Sequence, residues 1–229
     1  MKNYHRGLIS LFGTGITAFF IIALVMVIIF VNIGFEVNKA QKLVVEESVD
    51  EIDERFVVTG KMSAMADVSA YEILATATPV RTVSDGSVNV DSEILTISYE
   101  LVKIKNQIIK HENIYTGFLI EKSYNSLEDA TADAKMNGLI DINPYTDEQK
   151  PTTTKAFFYW IINQNFDNYV DNDELAVLAI IYADKDRPST GEQLFIQADV
   201  PAGYVLQIDQ NVPSISSETL SFGGIVGGR

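Results

Sequence analysis

The sequence predicts an α+β protein in which a long N-terminal hydrophobic helix precedes an outer domain with an immunoglobulin-like β-sandwich or barrel. Two observations carry this prediction. Residues 8–35 contain no charged side chain. Residues 61–229 instead contain many short β-branched and aromatic segments separated by turn-forming residues. We therefore divide the chain into a cleavable basic leader (1–7), an N-terminal helix (8–58) and an extracellular β-domain (61–229).

The N-terminal residues place a candidate processing site before the apolar segment. Lys2 and Arg6 belong to a short basic stub that ends at Gly7, and the apolar run begins at Leu8. A cleavable secretory signal normally has its small-residue site after the apolar region. Cleavage between Gly7 and Leu8 would keep the apolar segment as the new N-terminus. We expect a membrane peptidase to cut here.

The charge-free segment is long enough to cross a bilayer in the precursor. Its 28 residues correspond to roughly 42 Å of helix, against about 30 Å of hydrocarbon. Basic residues precede it and acidic residues follow it, which predicts a cytoplasmic N-terminus. An ordinary single-pass anchor explains these features equally well. It does not explain the glycine at the boundary.

The helix is predicted to continue beyond the membrane. Val45, Val49, Ile52 and Phe56 recur on one helical face, and acidic residues cover the other face. We extend the helix to residue 58 for this reason. Its first half would form the hydrophobic core of a polymer, with these apolar side chains buried there: Phe12, Phe19, Ile22, Val25 and Ile29.

The β-domain is predicted from alternating and continuous apolar runs. Residues 95–101 alternate apolar and polar side chains, which is typical of a strand with one buried face. Ser126 and Asp129 resemble a capping box before a short helix over 127–136, which ends at Asn137-Gly138. Further strands are predicted over 71–78, 114–120, 155–162, 175–182, 193–200 and 204–208.

Composition excludes several classes of function. The 229 residues include 17 Lys and Arg against 31 Asp and Glu, for a net charge of −14. Such a chain lacks the basic surface that neutralises phosphate, so we expect no nucleic acid partner. There is no cysteine, which rules out disulfides and zinc–cysteine sites. No nucleophile elbow or phosphate-binding loop is present, and we do not expect an enzyme.

Two acidic loops are the candidate cation site. Oxygen-rich loops suit Ca²⁺, although the spacing does not match an EF-hand. The alternative is a solvated acidic surface. The candidate ligands are Asp167, Asp171, Asp173, Glu174, Asp184 and Asp186.

Three stretches resemble the archaellins, the archaeal flagellins. The first is Arg6-Gly7 followed by the Gly- and Thr-containing helix start through Gly15. The second is the aromatic segment at 160–162, an acidic loop and the Glu-containing segment 174–180. The third is the Pro-x-Gly segment at 201–208, closing with Val212-Pro213. Two features depart from the family. Asp209-Gln210 stand where archaellins often have a basic residue, and no Asn-x-Ser/Thr sequon exists, although archaellins are often N-glycosylated.

The resemblance implies a structural subunit of the archaellum, an extracellular motility filament. It implies a type IV pilin-like (class III) signal peptide. A prepilin-type peptidase would recognise Arg6, Gly7 and Leu8 and cut between Gly7 and Leu8. The subunit would polymerise with copies of itself or paralogous subunits after leaving the membrane. Bacterial type IV pilins usually carry Glu where Phe12 stands, which favours the archaeal branch. The alternatives are an archaeal adhesion pilin and a single-pass membrane-anchored accessory or binding protein.

Overall fold

The β-rich domain contains thirteen strands and one α-helix within residues 55–83, 86–201 and 203–223, which are the residues that this computed structural model describes. The strands are β1 (Phe56–Val58), β2 (Met62–Asp67), β3 (Glu72–Thr82), β4 (Val88–Asn89), β5 (Thr96–Val102), β6 (Ile108–His111), β7 (Tyr115–Leu119), β8 (Lys155–Ile162), β9 (Tyr169–Val170), β10 (Leu175–Ile181), β11 (Gln193–Val200), β12 (Gly203–Asn211) and β13 (Thr219–Phe222). The helix is α1 (Leu127–Met136).

Most strands belong to two largely antiparallel sheets. The larger sheet has the order β13-β2-β3-β10-β8-β7, and β1 pairs with β3 beyond the end of β2. Its one parallel pair among the described strands is β7 with β8. The smaller sheet has the order β12-β11-β5-β6. Strands β4 and β9 form a separate two-stranded ladder.

Apolar side chains from both sheets form the main core. Trp160 and Leu178 of the larger sheet share it with Ile97, Leu101 and Ile196 of the smaller sheet. The two sheets therefore pack as a sandwich, which confirms the β-rich domain of the predicted fold.

The central strands of the larger sheet are buried on both faces. In β8, Phe158 and Trp160 belong to the core between the sheets, whereas Phe157 and Tyr159 belong to a second core on the opposite face. The small residues Ala130 and Ala134 of α1 pack into that second core. A continuous apolar run is the sequence pattern expected for a strand that is buried on both faces.

Helix α1 begins and ends where its capping residues predict. The Ser126 hydroxyl accepts a hydrogen bond from the Asp129 backbone N–H at 3.1 Å. Asn137 is the C-cap, and Gly138 follows with φ of +73°. The predicted helix over 127–136 is confirmed with the same bounds.

The predicted extension of the N-terminal helix is wrong at residues 56–58. These residues form β1, which pairs Phe56 with Thr82 and Val58 with Val80. The Phe56 ring packs 5.6 Å from that of Phe158, measured between centroids. Phe56 fits the apolar positions of a helix and of a strand equally well. Its burial against β3 and β8 therefore decides in favour of the strand.

The remainder of the predicted leader and helix, residues 1–54, lies outside the described residues. This part includes the processing site Arg6, Gly7 and Leu8 and the predicted filament-core residues Phe12, Phe19, Ile22, Val25 and Ile29. Over the part of the chain that the structure does describe, no helix has the length and apolar character needed to span a bilayer.

Candidate functional site

Buried Glu174 connects the two ends of the acidic loop between β8 and β10 through hydrogen bonds. Its side chain is buried, and it accepts hydrogen bonds from Trp160 Nε1 at 3.0 Å and from the Gln164 backbone N–H at 2.7 Å. The backbone N–H of Asp171 donates to the same carboxylate at 3.3 Å. Both carboxylate oxygens therefore have partners within the domain, and Glu174 holds the two ends of the loop together.

The aspartates of this loop also bind neighbouring amides. Asp167 Oδ1 accepts from the Tyr169 backbone N–H at 2.8 Å. The Asn165 side-chain amide donates to Asp167 Oδ2 and to Asp171 Oδ2, each at 3.0 Å. Asp173 is exposed. The amide of Asn165 thus bridges two of the carboxylates that the sequence suggested as calcium ligands.

Asp184 belongs to a separate network of ion pairs. Its Oδ1 lies 2.7 Å from Lys150 Nζ and 2.9 Å from Arg187 Nη1. The hydrogen bond from Lys150, assisted by the charge of Arg187, lowers the pKa of Asp184 below its usual value. Two basic side chains therefore already compensate the negative charge of Asp184.

Asp186 is buried and joins the two sheets. Its Oδ2 accepts a hydrogen bond from Thr154 Oγ1 at 2.9 Å and lies 2.9 Å from His111 Nε2. Its backbone carbonyl accepts from the Tyr99 hydroxyl at 2.6 Å. Tyr99 and His111 stack with interplanar angle 4°, and burial raises the pKa of Tyr99. His111 is therefore a contact residue between the two sheets.

The structure does not bring the six candidate ligands together. Glu174 and the aspartates at 167–173 belong to one loop, whereas Asp184 and Asp186 belong to a 3₁₀ turn with its own partners. Within the described residues, no three acidic or histidine side chains converge in a way that could hold a metal ion. Binding of Ca²⁺ stays a prediction.

Sequence reasoning missed an open groove over the outer face of the smaller sheet. Phe195 of β11 is partly exposed there, between Glu100 of β5 and Asp209 of β12 in one cross-strand row. Gln197 occupies the next row, between Ser98 and Gln207. The groove has a volume of about 940 Å³. The one signal in the sequence is the alternation of polar residues along β5 and β11, which does not reveal which strands are neighbours.

The β5–β6 hairpin ends in a turn that exposes large apolar side chains. The turn is closed by hydrogen bonds from Lys103 N to Gln107 O and from Asn106 N to Lys103 O, both 2.8 Å. Ile104 and Ile108 are 72% and 60% exposed. We call residues 103–108 the hairpin tip.

The chain is similar to known proteins in its structure and not in its sequence. No family model matches the sequence, and no curated protein matches it either. The structure is similar to the crystal structure of archaeal flagellin FlaB1 from Methanocaldococcus jannaschii, with a TM-score of 0.53 and 10% identity. This match covers 72% of the present chain and 94% of the flagellin. The two proteins therefore share a fold.

Two further solved structures match with lower TM-scores. The archaeal flagellum of Methanospirillum hungatei strain JF1 matches with a TM-score of 0.39 and 9% identity, covering 96% of this chain and 98% of that one. The archaellum periplasmic stator protein FlaG from Sulfolobus acidocaldarius matches with a TM-score of 0.31 and 8% identity, covering 66% and 99%. The fold assignment comes from the flagellin match alone.

Proposed function

We propose that this chain is a structural subunit of an archaeal cell-surface filament of the archaellum type. The observation that carries the proposal is the fold that the chain shares with archaeal flagellin FlaB1, over 72% of this chain and 94% of the flagellin. The charge-free segment 8–35, placed directly after a basic stub and Gly7, supports it from the other end of the chain. The subunit has a structural role and no catalytic one.

The proposed assembly begins in the membrane. The precursor spans the bilayer with its basic end inside, and a prepilin-type peptidase removes residues 1–7. The hydrophobic helix then packs with copies of itself or of paralogous subunits, with Phe12, Phe19, Ile22, Val25 and Ile29 in the core. The β-domains form the outer surface of the extracellular filament. Because lipid and the filament core are both apolar, helix packing and contacts between β-domains supply the net stabilisation.

Purified surface filaments provide the test. Peptide identification is expected to find this chain as a filament component, and intact-mass analysis to give a mature chain that starts at Leu8. A chain that retains Met1 and stays with the membrane would favour a single-pass anchored accessory or binding protein. Filaments whose loss abolishes attachment but leaves swimming intact would favour an adhesion pilin.

A substitution tests the role of the helix separately from that of the β-domain. Ile22→Asp would place an unpaired carboxylate in the apolar core, at a cost of several kcal/mol. We expect filaments to disappear from electron micrographs. Ile22→Leu is the matched control, since it keeps the volume and polarity and should assemble normally. Normal filaments with Ile22→Asp would contradict a buried helix.

A further inference from the structure

We propose that the hairpin tip (103–108) of one copy docks into the groove over Phe195 of the next copy. This inference deepens the proposed filament function and rests on it. The contact joins two different surfaces of the same β-domain. Such a heterologous contact repeats from copy to copy and builds an open chain when its rotation does not close a ring. It would add an outer contact to a filament.

The hairpin tip has the composition of a binding segment. Ile104 and Ile108 expose most of their surface, and Lys103 and Lys105 flank Ile104 in the turn. Neither lysine forms a salt bridge with any residue that the structure describes, although five other lysines of the domain do. The turn itself is fixed by two backbone hydrogen bonds and by Asn106 at φ of +57°. A preformed turn loses little conformational entropy on docking.

The groove offers the complementary surface. Phe195 provides an apolar floor, and Ser98, Gln197 and Gln207 provide hydrogen-bonding groups beside it. Four carboxylates line the groove, those of Glu100, Glu112, Asp199 and Asp209, against the single amine of Lys110. Lys110 is itself 3.2 Å from Glu112. The groove therefore carries an excess of negative charge around an apolar centre.

Charge complementarity selects the hairpin tip as the occupant. The chain has a net charge of −14, so two copies repel each other on average. A contact between copies then needs a locally basic segment against a locally acidic surface. The hairpin tip supplies two lysines without acidic partners among the described residues, together with two exposed isoleucines. Opposed charges of this kind fix the orientation of partners more than they raise affinity.

The tip of a given copy cannot reach Gln197 of its own groove. Val102, the last residue before the tip, pairs with Gln193, whereas Gln197 in the groove pairs with Ser98. The four-residue offset along β5 corresponds to about 13 Å. A disulfide requires Cα atoms within roughly 7 Å. Any bond between the tip and Gln197 must therefore join two copies.

Cysteine cross-linking of the full-length chain in assembled filaments tests the contact. The chain has no cysteine, so introduced thiols have no native competitor. Ile104→Cys combined with Gln197→Cys is expected to give a ladder of multimers on a non-reducing gel, which a reductant collapses to monomer. The matched control combines Met136→Cys with Gln197→Cys. Met136 is 77% exposed and lies on α1, outside the smaller sheet.

Charge reversal in the cross-linking background tests the recognition. Lys103→Glu with Lys105→Glu is expected to abolish the ladder. Adding Asp199→Lys and Asp209→Lys is expected to restore it, because both surfaces are then reversed. Lys61→Glu with Lys185→Glu alters the net charge equally at exposed lysines outside the smaller sheet and should leave the ladder intact.

The two proposals fail in distinguishable ways. Normal filaments without a ladder from the Ile104/Gln197 pair, or with an equal ladder from the Met136 control, would overturn the docking contact and leave the filament function standing. Wild-type chains that form no filaments would overturn the proposed function. A ladder that ends at dimers would also contradict a repeating contact, because each copy offers both surfaces.

Discussion

Glu174 accepts three hydrogen bonds from the loop that it closes, although its position beside several aspartates suggested a metal ligand. A carboxylate with two donors on one oxygen and one on the other has little capacity left for a cation. Sequence spacing cannot separate these roles, since both require a Glu at the loop end. The burial of the side chain decides between them.

Glu174→Ala is expected to destabilise the β-domain. It leaves Trp160 Nε1 and the Gln164 N–H without their acceptor, at a cost of about 1–3 kcal/mol. For a domain of this size, the melting temperature should fall by roughly 2–4 °C per kcal/mol. Thermal unfolding followed by circular dichroism measures the change. Asp173→Ala, at an exposed position in the same loop, is the control and should shift stability by less than about 0.5 kcal/mol. Equal shifts in the two variants would contradict the structural role of Glu174.

Any increase that calcium causes in the melting temperature of the β-domain is expected to be small. The candidate carboxylates already have amide or basic partners, as at Asp167, Asp171 and Asp184. The measurement compares calcium with chelator at matched ionic strength, because screening by salt alone alters exposed acidic surfaces. A calcium-dependent increase that disappears in Asp171→Asn with Asp173→Asn would establish a site that the geometry does not show.

At the scale of elements, local signals predicted the strands and the helix that carry complete patterns. Residues 155–162 and 193–200 form β8 and β11 with the predicted bounds. Strand β2 has the sequence MSAMAD, which has low strand propensity, and pairing on both edges with β3 and β13 holds it in the sheet. The position of such a strand depends on partners that are distant in the sequence, so a local sequence pattern does not predict it. The groove escaped for the same reason, because it depends on the register of β11 with β5 and β12.

Strand β1 is expected to be required for the full stability of the β-domain. A fragment over 51–229 retains Phe56, which is 5% exposed, whereas a fragment over 61–229 lacks it. Removing a buried Phe costs about 3–5 kcal/mol. We expect both fragments to give a mainly β-type circular dichroism spectrum at low temperature, with the shorter one unfolding at a lower denaturant concentration. Phe56→Leu in the longer fragment is the control. It fills part of the volume of the Phe56 side chain and should unfold at an intermediate denaturant concentration. Equal midpoints would show that β1 is dispensable.

At the scale of the whole domain, the sandwich is held by apolar packing and by a buried polar contact between its sheets. Asp186 joins Thr154 near the larger sheet to His111 on β6 of the smaller one. The Tyr99 hydroxyl donates to the same residue's carbonyl. Tyr99 and Tyr182 also contact each other, with centroids 5.3 Å apart. The interior between the sheets therefore contains two phenols, those of Tyr99 and Tyr182, that have no access to water.

Stability is expected to fall above about pH 10. Burial raises the pKa values of Tyr99 and Tyr182 above their ordinary value near 10. The folded state thus keeps these protons while the unfolded state loses them. The stabilisation is fully present below the unfolded pKa and decreases as the pH rises beyond it. Unfolding free energies measured from pH 8 to 11.5 test this. Tyr182→Phe should reduce the alkaline slope, because it removes one of the tyrosines whose pKa is raised, and an unchanged slope would contradict the assignment.

The pairing of β13 with β2 sets an order of events during synthesis. Thr219 lies opposite Met65, although the two are roughly 150 residues apart in the chain. The outer edge of β2 has no neighbour until the last strand has been made and has reached it. A nascent chain would keep this strand edge open through most of its own translation. Open edges recruit strands from other chains. Prompt completion of the C-terminal end, or a chaperone that covers β2 meanwhile, would therefore protect this domain from misassembly before it folds.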